Sequence, residues 1–301
     1  MKVTVDKKPK STIELQITIE NSKVKESFDK ILDKAVEETT IEGFRKGKAP
    51  KELVREKVGL NALYGDVIND LLQTFYPQAL KENLIIPVAN PRVDIKVFDI
   101  DKGLEFTATV ATRPEVKIGE YKGMIKDSFE KRLEQKKKEN EEKIKNGEKM
   151  DEAHVHISPN EVIDALIKTA ELEVSDLLID EETDRMMSRL IDQAQSIGLS
   201  IDQYLKAQNK TTEQLRKDYN DIAEKNLKAE FVLGKLVVDN KIEVTDEEIE
   251  ETMRAAGYEN VEERMKDNIE KFYIKSILQK NKLLSSLIEE LEGEHHHEHK
   301  E

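Results

Sequence analysis

The chain contains no cysteine and no tryptophan, which removes disulfide frameworks and thiolate metal sites from consideration. No apolar run approaches the 18 residues of a membrane-spanning helix, and the start lacks the apolar core of a signal peptide. A cytoplasmic protein is expected. The glycines are isolated, so no phosphate loop or dinucleotide fingerprint is present. Proline is scarce beyond the first third, where only Pro159 follows Pro114. Outside the tail the only histidines are His154 and His156, in a short connector with no partner set, where solvated imidazoles are expected. With no nucleophile–base pair and no cofactor cradle, the residues point to no enzyme, no cofactor and no metal site.

What is present is charge. Charged and apolar residues each make up 37% of the chain, a balance that favours an elongated, helix-rich molecule over a compact globule. The charge is divided unevenly. Residues 1–113 hold 19 Lys and Arg against 18 Asp and Glu, whereas the remainder holds 30 against 45. A body with a net charge of −15 is repelled by nucleic-acid phosphates and kept soluble by self-repulsion.

Alternating apolar residues at Ile13, Leu15, Ile17 and Ile19, at Val93, Ile95 and Val97, and at Phe106, Ala108 and Val110 predict strands. Helical spacing runs from Val24 to Val36 and from Lys51 to Leu80. The first 113 residues therefore read as an α+β domain, an antiparallel sheet with helices on one face. Residues 114–157 read as a linker and a charged, solvated helix. Residues 158–292 read as an all-α domain with four N-terminal capping boxes, Ser158 with Glu161, Ser200 with Gln203, Thr211 with Gln214 and Thr245 with Glu248. The His-rich tail, 293–301, reads as disordered; its imidazoles could capture a metal, but nothing structured surrounds them.

One loop stands apart. Between two helical stretches lies Gly43-Phe44-Arg45-Lys46-Gly47-Lys48-Ala49-Pro50. Glycine and proline there break the helix and permit tight turns, but a turn needs no aromatic at its apex. Phe44 either tucks back into the core, as in an ordinary helix connection, or anchors a partner with an apolar notch surrounded by negative charge.

This wording resembles the ribosome-docking signature of the trigger factor family, chaperones at the nascent-chain exit. The opening strands, Arg113-Pro114-Glu115-Val116 through Gly123, and stretches such as Val244-Thr245-Asp246-Glu247-Glu248-Ile249 are similar to that family as well. The resemblance implies that Gly43, Phe44, Arg45, Lys46, Gly47, Lys48 and Pro50 bind a ribosomal protein at the exit tunnel. It also implies that the helical domain shields nascent polypeptides without ATP, and that a homodimer forms off the ribosome. One departure matters. The family carries an immunophilin-type prolyl isomerase domain, whereas residues 114–160 here hold only Tyr121 and Phe129 as aromatics, too few for its apolar pocket. No isomerase activity is expected. An unrecognised prolyl isomerase and an off-ribosome holdase or assembly scaffold stand as alternatives. For client binding, apolar and adaptable side chains on the charged helices are the candidates: Met186, Met187, Leu190, Ile191, Leu199 and Tyr204, then Met253, Tyr258 and Met265, then Phe272 and Tyr273.

Overall fold

The computed structural model describes residues 1–146 and 156–298, with side chains described up to 293. The chain divides into two compact units. One is Met1–Pro114 with Glu173–Arg185, the other Glu115–Leu172 with Met186–Glu301.

The first unit is an antiparallel sheet with helices. Its elements are β1 (Lys2–Lys8), β2 (Thr12–Ile19), α1 (Asn21–Glu38), α2 (Lys51–Val58), α3 (Leu60–Glu82), β3 (Arg92–Asp99) and β4 (Gly103–Ala111). The sheet order is β1-β2-β4-β3. Period-two alternation drives its inner face: Leu15, Ile17 and Ile19 of β2 and Leu104, Phe106, Ala108 and Val110 of β4 are buried. They pack against Val24 of α1 and Val67, Leu71 and Ala79 of α3. At the edge, β3 departs from simple alternation. A register shift between Ile95 and Val97 sets Val97 opposite Glu105 and brings Phe98 opposite Leu104, on the core side. Gly103 is obligatory, since a Cβ there would lie 2.3 Å from the Ile19 carbonyl oxygen.

The long helical pattern from Lys51 to Leu80 is two helices rather than one. Gly59, with φ +86°, ends α2 and admits α3. The β1–β2 hairpin explains why Glu173–Arg185, expected to belong to the helical domain, packs with the first unit instead. Lys10 Nζ pairs with Asp176 at 2.7 Å, and the Thr12 and Ser175 hydroxyls meet at 2.8 Å.

The second unit is helical. It comprises α4 (Lys122–Lys145), α5 (Pro159–Thr169), the later part of α6 (Asp176–Ser196), α7 (Ile201–Gln208), α8 (Thr212–Asp239), α9 (Asp246–Ala255), α10 (Val261–Arg264) and α11 (Asn268–Glu298). Its main core joins Ile125 and Phe129 of α4, Val162 and Leu166 of α5, Val232 and Leu236 of α8, and Leu283, Leu287 and Leu291 of α11. The charged helix α4 is therefore not merely a solvated connector. Its first half is a core element, held further by Lys122 with Glu290 and by Arg132 with Glu161 at 2.9 Å. The unit also holds two smaller clusters. Leu190, Leu205 and Leu215 form one, and Val244, Ile249, Met253, Val261 and Ile274 the other.

All four capping boxes form as read, each with both reciprocal hydrogen bonds. One expectation about the end of a segment differs. The tail from 293 is helical through Glu298, while residues 299–301 lie outside the described residues. His154 also lies outside them; His156 is exposed, with Nδ1 3.5 Å from Glu292 Oε2.

Candidate functional site

The loop between α1 and α2 is built from two successive tight turns. The Phe44 N–H donates to the Ile41 carbonyl at 3.1 Å, and the Lys48 N–H donates to the Arg45 carbonyl at 2.9 Å. The third position of each turn is glycine, Gly43 at φ +83° and Gly47 at φ +81°. That left-handed φ is the demand of a type II turn, which glycine meets without steric cost. The signature thus encodes a backbone, not only a set of side chains.

The base of the loop is fixed. Ala49 is buried, Lys57 Nζ donates to the Thr40 carbonyl at 2.6 Å, and Lys51 pairs with Asp33 across the helix ends. The hydrogen bond that Lys51 donates to Asp33 raises the Lys51 pKa above its ordinary value. The tip, in contrast, faces outward. Phe44 is 42% exposed, so it does not tuck into the core. Among the described residues, no carboxylate reaches ion-pair distance of Arg45, Lys46 or Lys48. An aromatic ring amid three uncommitted cations can insert into an apolar notch while the cations meet surrounding anions. Nothing in this arrangement offers a nucleophile or a proton relay.

The apolar candidates separate by burial. Met253 is fully buried and Leu190 nearly so; both are core residues and offer no surface, which corrects their place among the client-binding candidates. Met187 and Tyr204 pack against the cluster of Leu190, and Met265 against that of Met253. Met186 and Ile191 are half-buried. Leu199 is exposed, and Tyr258 lines a cleft of about 660 Å³ with the Arg264 guanidinium 5.1 Å over its ring. Phe272 and Tyr273 stand out at 73% and 64% exposed. The structure adds Ile269, exposed on the same face of α11, three and four residues before them. Its signal was present in the sequence as helical spacing, but spacing does not say which face a neighbour covers.

The two aromatics available to an isomerase pocket are spoken for. Phe129 is buried in the main helical core, and Tyr121 packs against that core, where burial raises its pKa. Among the described residues no group of three or more His, Asp or Glu is placed to hold a metal ion. No helix among them is long and apolar enough to cross a membrane.

Comparison with known proteins agrees with this geometry. The profile of the family described as bacterial trigger factor protein matches residues 1–147, and that of its C-terminus matches residues 120–293. Curated trigger factors from Desulforamulus reducens and Acetivibrio thermocellus are 38% and 40% identical over 124 and 130 residues, 41% and 43% of this chain. The matched segments span 28% and 30% of those proteins, less than a third of their length. A solved structure described as "Promiscuous Substrate Recognition in Folding and Assembly Activities of the Trigger Factor Chaperone" aligns with a TM-score of 0.63. It is 15% identical, and the alignment covers 97% of this chain and 100% of that one. That likeness concerns the fold.

Proposed function

The chain belongs to the bacterial trigger factor family, and on that premise we propose that it is an ATP-independent, ribosome-associated chaperone of the cytoplasm that shields newly made polypeptides from aggregation. The observation that carries this reading is the loop of residues 43–50, which presents Phe44 outward on two glycine turns beside Arg45, Lys46 and Lys48, cations that meet no carboxylate among the described residues. Its partner is a ribosomal protein at the tunnel exit, with Gly43, Gly47 and Pro50 holding the shape. The relatives' shared name and the solved neighbour's description, which speaks of substrate recognition in folding and assembly, support the chaperone role.

Client segments bind by apolar burial at about 25 cal/mol per Å². Phe272, Tyr273 and Ile269 are the leading contacts, with Tyr258 and Leu199 beside them in the candidate set. Release is passive, because the sequence carries no nucleotide-binding fingerprint to drive it and tight holding would trap clients. Off the ribosome the chain forms a homodimer. Prolyl isomerase activity is absent, since the aromatics of residues 114–160 are committed to the helical core. Ribosome co-sedimentation, together with light scattering from a denatured client diluted in the presence of the chain and no nucleotide, tests both halves. Failure to co-sediment removes the docking role, and undiminished scattering removes the holding role.

A further inference from the structure

The sequence Asn83-Leu84-Ile85-Ile86-Pro87-Val88-Ala89-Asn90-Pro91 carries no ionisable side chain and follows the end of α3. Leu84 closes that helix in the left-handed region, at φ +55°. The closure is a Schellman motif: the Ile85 N–H donates to the Leu80 carbonyl at 2.9 Å and the Leu84 N–H to the Lys81 carbonyl at 3.3 Å. Three other helices of this chain fill the equivalent position with residues that suit it, Gly198 after α6, Asn209 after α7 and Gly257 after α9, whereas α8 closes on Lys241 at φ +50°. Leucine there strains the backbone and leaves an apolar side chain in water.

Leu84 is 90% exposed and Ile86 80%, with Val88 exposed as well. Exposure alternates strictly from 84 to 90, and Ile85 turns inward against the sheet core. The Val88 N–H donates to the Ala111 carbonyl at 3.0 Å, and Pro87 bridges Thr112, which fixes the segment beside the end of β4. The result is an uncharged ribbon with every second side chain projecting outward.

We propose that Leu84, Ile86 and Val88 form a second polypeptide-holding site, on the N-terminal unit, for short extended apolar segments of an unfolded client. The inference rests on the holding function proposed above. Period-two projection matches an extended chain, whose own side chains repeat every two residues. Three side chains fall well short of the roughly 800 Å² per partner and 20 or more residues of a stable interface, which argues against a second copy of this chain as the occupant. Without charge the ribbon has no means of selecting a partner by electrostatic pattern, so it selects by apolarity alone. Contacts of this size exchange fast, as passive release requires.

The test uses the full chain with Leu84→Gly and with Leu84→Gly plus Ile86→Ser. Leu84→Gly relieves the strain and is expected to raise the melting temperature by about 2 °C. The double variant should need about threefold or more chaperone to suppress scattering from a client diluted out of guanidinium. Lys241→Gly is the control, because Lys241 closes α8 at φ +50° in the same motif but is not apolar. It should melt higher with holding unchanged. If the wild type protects and the double variant protects equally, the ribbon is not a holding site. If the wild type gives no protection, the holding function itself is wrong and the ribbon falls with it. If sedimentation shows that the double variant loses a self-association the wild type has, the ribbon is a self-interface and the proposal is overturned.

Discussion

The Ser27 hydroxyl of α1 donates to Asp70 Oδ2 of α3 at 2.7 Å, and the second oxygen of the same carboxylate takes Lys30 Nζ at 2.7 Å. One side chain thus fastens the helix that leads into the basic loop to the longest helix of the first unit. The Lys30 bond, with help from Ser27, holds the Asp70 carboxyl below the usual carboxylate range.

A group whose folded pKa is depressed contributes stability above its unfolded pKa and loses it as the pH falls through the folded value. Asp70→Asn is therefore expected to lower the melting temperature at pH 7, with the gap to wild type closing below the ordinary carboxylate range. Lys30 is largely exposed, so solvent screening holds the pair to about 1 kcal/mol or less. Thermal melts of both proteins from pH 7 down to pH 3 decide it. A gap that persists unchanged at the acid end would mean that the ionised carboxylate is not the source.

The loop of residues 43–50 makes a separable prediction. Phe44→Ala with Arg45→Ala and Lys46→Ala should abolish ribosome co-sedimentation while moving stability by no more than about 0.5 kcal/mol, since the tip is outside the core. Gly43→Ala with Gly47→Ala should also weaken docking with Phe44 intact, because both turns need a left-handed residue. Wild-type co-sedimentation by a folded triple mutant would end the assignment.

Burial separates two kinds of apolar residue on the helices that carry α9 to α11. Met253→Ala should cost about 2–5 kcal/mol, since it empties a fully buried position. Phe272→Ser with Tyr273→Ser should leave melting nearly unchanged and raise the amount of protein needed to suppress scattering from a denatured client. If the double variant holds clients as well as wild type, the α11 face is not a client contact.

Isomerase activity is expected to be undetectable. Twisting an X–Pro bond needs an apolar site that excludes water, and Phe129 is already enclosed by α5, α8 and α11. Refolding of a proline-limited protein with substoichiometric chain is the assay. A faster slow phase at catalytic concentration would show that a pocket has been missed.

The sequence by itself determined whatever is encoded within a few residues. The four capping boxes and the two glycine turns around Phe44 are legible because each is closed by contacts between near neighbours in the chain. The alternation of β2 and β4 is legible because it repeats every two residues, although Leu15 of one strand pairs with Ala108 of the other. Tertiary structure alone decided which apolar side chains meet water. Met253 and Phe272 are both apolar residues on amphipathic helices, and only packing by Ile249, Val261 and Ile274 buries the first and not the second. The same holds for α4, whose Ile125 and Phe129 become core through helices that follow it by up to 160 residues or more. It holds again for Glu173–Arg185, drawn to a hairpin at Lys10 and Thr12. Burial is a property of partners distant in sequence, and no local pattern names them.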